Sequence, residues 1–104
     1  MGVRAVLVPE RLLPDVPPIL SSTGASVSET PGSDEQITRG FLCIFTCATD
    51  RAEVVRIECV RSPHAPGMLV LVLKPIRGSG DENSTTWLLT RVESALRKHG
   101  ATDV

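Results

Sequence analysis

Between Phe41 and Ile76, strand-patterned runs follow one another with only a handful of residues between them. Connections this short join antiparallel neighbours, whereas parallel strands need a crossover of about a dozen residues or more. This segment therefore predicts an antiparallel meander. Ile37 to Thr49 (ITRGFLCIFTCAT) is rich in strand formers, with Phe41, Cys43, Phe45 and Cys47 alternating against Leu42, Ile44 and Thr46. A tight connection at residues 49–52 leads into Glu53 to Arg61, where Val55, Ile57 and Cys59 face one way and Val54, Arg56, Glu58 and Val60 the other. After the turn at residues 62–67, Met68 to Ile76 (MLVLVLKPI) is apolar on both faces, as expected of a central strand covered on both sides.

The rest of the chain predicts what packs on this meander. Asp81 to His99 reads as a helix, with Leu88, Val92, Ala95 and Leu96 on one stripe. Asp81, Glu82 and Asn83 sit at its positive end, Arg97, Lys98 and His99 at its negative end, and Gly100 supplies the stop. Val3 to Val8 is a β-branched first strand. A short helix is expected over residues 15–23, because Pro17 and Pro18 fall in its first turn, where the backbone N–H groups have no partner anyway. Residues 25–36 are polar around Pro31 and Gly32 and read as a loop. The expectation is a single α+β domain over residues 1–104, ordered β-α-β-β-β-α, with a four-stranded antiparallel sheet and two helices packed on one face.

Composition narrows the function. Hydrophobic residues make up 41% and charged residues 22%, which suits a folded chain. Aromatic content is 3% and net charge is −1, so neither stacking platforms nor a concentrated cationic field is offered to nucleic acid. Three cysteines and no secretory signal point to a reducing, cytoplasmic setting. Cys43 and Cys47 share a strand face, and a zinc site would need Cys59 and His64 to join them; the plainer reading is buried thiols acting as small hydrophobes, with no metal or other cofactor. The serines lack a nucleophile-elbow context, and Gly78-Ser79-Gly80 is followed by Asp81 and Glu82, where a phosphate would need positive charge. Neither a catalytic residue nor a small-molecule substrate is expected. The cationic residues Arg56, Arg61, Lys74 and Arg77 are the candidate site: if they converge, they attract anionic phospholipid or a protein partner.

From Phe41 onward the chain resembles the kinase-associated-1 domain, the C-terminal module of microtubule-affinity-regulating kinases and relatives of the AMP-activated class. Where that family has a strand like RFLLFCV, this chain has residues 39–45, RGFLCIF. Val55 to Pro63 (VRIECVRSP) stands at the place of WEMEVCKLP, and Val72 to Gly78 (VLKPIRG) at that of VRFKRISG. The first strand and helix match Val3 to Val8 and Asp15 to Gly24, and the last helix follows with its stripe from Trp87 to Leu96. The resemblance implies a non-catalytic regulatory module of a Ser/Thr kinase, or of a kinase-linked scaffold, acting by autoinhibition or localisation. Its implied partners are a kinase domain in cis or another protein, and anionic phospholipid at the inner membrane surface. In the family's paired basic step, Lys74 matches the first residue and Pro75 stands at the second, with Arg77 two residues on. The rival expectations are a stand-alone phospholipid-binding module and, further off, a small metal protein or enzyme.

Overall fold

The computed structural model describes residues 2–50, 54–76 and 82–104, the last segment with side chains from residue 87 onward. The expected meander is present. Strand β3 (Phe41–Ala48) pairs with β4 (Val54–Arg61), and β4 with β5 (Met68–Pro75), all antiparallel. Strand β1 (Arg4–Pro9) adds to the far side of β5, again antiparallel. Alternation governs burial as the period-2 pattern requires. Val6, Val8, Phe45, Val55, Ile57, Cys59, Leu69, Leu71 and Leu73 are almost wholly buried on one face. Helices α1 (Val16–Ser21) and α3 (Glu82–Lys98) cover that face, α3 lying across β4 and β5. Leu88, Val92 and Leu96 enter the same core as Val55, Ile57 and Cys59, and Leu89 joins them.

The expected count of elements is corrected. Among the described residues the sheet has six strands, not four, in the order β2-β3-β4-β5-β1-β6, and there are three α-helices, not two. The polar stretch at residues 25–36 holds the first difference: Ser26–Pro31 is strand β2, registered on β3 from Ser26 opposite Ala48 to Pro31 opposite Cys43. An edge strand has one solvent-facing flank and no covered outer face. It therefore needs neither apolar alternation nor freedom from proline. Asp34–Thr38 is helix α2, and it displaces the strand expected from Ile37. Its start is a capping box. The Ser33 hydroxyl accepts from the Gln36 N–H at 3.2 Å, and the Gln36 side chain accepts from the Ser33 N–H at 2.8 Å. Gly40, at φ +93°, turns the chain back into β3.

The C-terminus supplies the sixth strand. Ala101 N–H closes on the Leu96 carbonyl at 3.0 Å past Gly100, and Thr102–Asp103 (β6) then pairs with Leu7 and Val6 of β1. Arg97, at the negative end of α3, reaches Asp103 at 2.7 Å and Glu93 at 3.1 Å, so α3 and β6 are tied together. Arg4 does the same for β1, with its guanidinium 2.8 Å from Glu93 and donating to Thr90 at 3.1 Å. A turn of 3-10 helix at Glu10–Asp15 precedes α1, which occupies the core of the helix expected over residues 15–23. No helix among the described residues is long and apolar enough to cross a membrane.

Candidate docking surface

Helices α1 and α3 cover one face of the sheet, and the strand residues of the other face are left half-buried or exposed. Strand β5 was expected to be covered on both sides because it is apolar on both. Instead Leu69, Leu71 and Leu73 are buried while Met68, Val70 and Val72 are only half-buried on the open side. Cross-strand register extends this apolar zone sideways. Val70 lies opposite Val60 of β4 and Leu7 of β1, and Glu58 lies between Val72 and Ile44 of β3. An antiparallel sheet with one solvated face ordinarily presents polar residues there, so half-buried valines, isoleucine and leucine in adjoining rows make this face unusually apolar.

Charge enters this face at one place. Arg56 and Lys74 are direct cross-strand partners, an arrangement that destabilises two cations on its own. Glu58, two residues along β4 on the same face, lies 3.3 Å from Arg56 and 3.0 Å from Lys74. Its carboxylate is the more covered member, at 19% exposure against 46% and 41% for the two cations. The cluster therefore carries both signs and a small net positive charge, and its field toward an anionic surface is much weaker than two free cations would make.

The four cations of the sequence reading do not converge. Arg56 and Lys74 meet; Arg61 does not join them. It is five residues from Arg56, an odd separation that places it on the opposite face, and about 17 Å away along the strand. There it approaches Glu10 at 3.9 Å and donates to the Ile37 carbonyl at 3.5 Å. Arg77 lies outside the described residues, as does the turn at residues 78–80. The signal for Val70 and Val72 was readable from the sequence: β5 is apolar on both faces, and two helices cover one side.

The thiols are core. Cys43 and Cys59 are direct register partners across β3 and β4. Cys47 faces Val55, four residues along the strand from Cys43. Burial pushes the Cys59 thiol up to about 12, and the neighbouring Cys43 adds to this; burial pushes Cys47 up to about 11. Cys43 is also raised, by burial first and then by the charge of Glu29. Neutral thiols of this kind are poor nucleophiles and poor metal ligands. Among the described residues no group of three or more His, Cys, Asp or Glu is placed to hold a metal ion.

A second exposed feature lies on the helical side. Trp87 is 52% exposed on α3, with the Arg91 guanidinium 4.8 Å from its ring centroid. The cation and the ring face stabilise each other in water. Compared with models of known protein families and with curated proteins, the sequence matches none.

Proposed function

We propose that this chain is a non-catalytic docking module that regulates or localises a Ser/Thr protein kinase, or a kinase-linked scaffold, through protein contacts on the open sheet face. The observation that carries the docking reading is the apolar zone around Val60, Val70 and Val72 on the side of the sheet that the helices leave uncovered. A kinase domain as the partner follows from the resemblance of the β3, β4 and β5 segments to the kinase-associated-1 domain. Glu58 between Arg56 and Lys74 favours a protein partner over an anionic membrane, because it offsets the charge that lipid headgroups would use.

The test is a catalytic domain of the microtubule-affinity-regulating class supplied in trans, with peptide phosphorylation and co-sedimentation as readouts. The chain should bind it and lower its activity, and Val60→Lys should weaken both effects. Vesicles containing phosphatidylserine form the second arm. Retention on them at low salt that Lys74→Glu abolishes, with no effect on the kinase, would replace the protein partner by lipid. A chain that ignores both would overturn the function proposed.

A further inference from the structure

The open face also specifies what covers it when no other partner is present. We infer that two copies of this chain associate through it, sheet against sheet, about a two-fold axis. The inference rests on reading this face as a docking surface and names one occupant of it.

Size is the first argument. The open face, its charged cluster included, runs over β3, β4, β5 and β1, about 19 Å at the usual strand spacing, and along strands about 20–26 Å long. That is about 500 Å² per copy before side-chain relief is counted, and about 1,000 Å² for a pair, where specific protein interfaces begin. Shape is the second. β-Branched Val60, Val70, Val72 and Ile44 give a low, regular relief of the kind that interdigitates when two sheets stack about 10 Å apart. Charge is the third. A two-fold interface lays the same patch on itself, which a patch of one sign forbids. Arg56, Lys74 and Glu58 carry both signs at one place, so the carboxylate of each copy has cations to face on the other. A wholly anionic partner would meet Glu58, and a wholly cationic one would meet Arg56 and Lys74.

Sedimentation velocity over a concentration series up to about 100 µM, where micromolar association is fully developed, decides the matter. The wild type should sediment as a dimer. Val70→Lys and Val72→Lys should each weaken dimerisation at least tenfold while keeping the fold by circular dichroism, since an open-face lysine can extend its ammonium into water. Trp87→Ala, on the helical side, should leave the dimer unchanged. A wild type that stays monomeric at the highest concentration overturns the inference, as does a dimer that survives both lysine variants or is lost with Trp87→Ala. Should a lysine variant fail to fold, the wild-type association and the Trp87→Ala control still decide. A monomeric wild type that binds the kinase domain, and loses it with Val60→Lys, would sink the dimer alone and leave the docking reading standing.

Discussion

Glu58 accepts a hydrogen bond from the Lys74 ammonium at 3.0 Å while its other oxygen lies 3.3 Å from the Arg56 guanidinium. Two cations that register would set against each other are thereby held by one carboxylate, in the middle of an apolar sheet face. Removing that carboxylate separates charge from stability. Glu58→Gln should raise retention on phosphatidylserine vesicles severalfold at low salt, and added salt should reverse the gain, because surface attraction is screened over about 8–10 Å. Stability should change by less than about 1 kcal/mol, the ordinary value for exposed ion pairs. Unchanged vesicle binding would mean that Arg56 and Lys74 exert no useful field even when freed.

The helix α3 stripe is the main cover of the core. Leu88→Ala and Leu96→Ala should each lower stability by about 2–5 kcal/mol in urea titrations, through lost burial and the cavity left behind. Losses below about 0.5 kcal/mol at both positions would show that α3 is not the cover described.

Gly32 has no room for a side chain: a Cβ there would stand 2.7 Å from the Phe41 carbonyl oxygen and 3.1 Å from that of Leu42. Both obstacles are backbone, so the β2–β3 connection must shift. Gly32→Ala should destabilise the fold by about 1–3 kcal/mol. Loss of amide protection in β2 ahead of β4 and β5 would localise the effect by hydrogen exchange.

Buried neutral thiols should be slow to react. In the folded protein at pH 8, Cys43, Cys47 and Cys59 should be modified by a thiol-disulfide reagent at least about tenfold more slowly than in urea. Fast stoichiometric labelling of any of them without unfolding would contradict their burial.

The same groups give an alkaline limit to stability. A thiol raised from 9.0 to about 11 at Cys47, or to about 12 at Cys59, is favoured in its protonated form by the folded state. That contribution is complete below pH 9 and is lost as pH climbs through the folded values. Urea midpoints should therefore fall between pH 9 and 11, and Cys47→Ala should make the fall shallower, whatever it does to stability at pH 7. An equal slope in the variant would remove the thiol from the account.

Much of this architecture is written locally. The antiparallel β3-β4-β5 meander follows from alternation and short connections, and the core stripe of α3 from its helical period, because those signals lie within a few residues of one another. The buried partners Val55, Ile57 and Cys59 were legible for the same reason. Strand β2 was not: apart from Val27 its side chains are exposed on both faces of the sheet, so no apolar period is needed and none is in the sequence. Strand β6 exists because Gly100 returns the chain to β1 and Arg97 holds Asp103, contacts that no local pattern encodes. The candidate site divides the same way. Apolar residues on both faces of β5 were plain in the sequence, but which of them join the open face of β4 was decided by strand register. Arg56, Lys74 and Glu58 come together through strand register, a long-range property set by the packing of the opposite face, and that packing decided that the cations meet a carboxylate instead of one another.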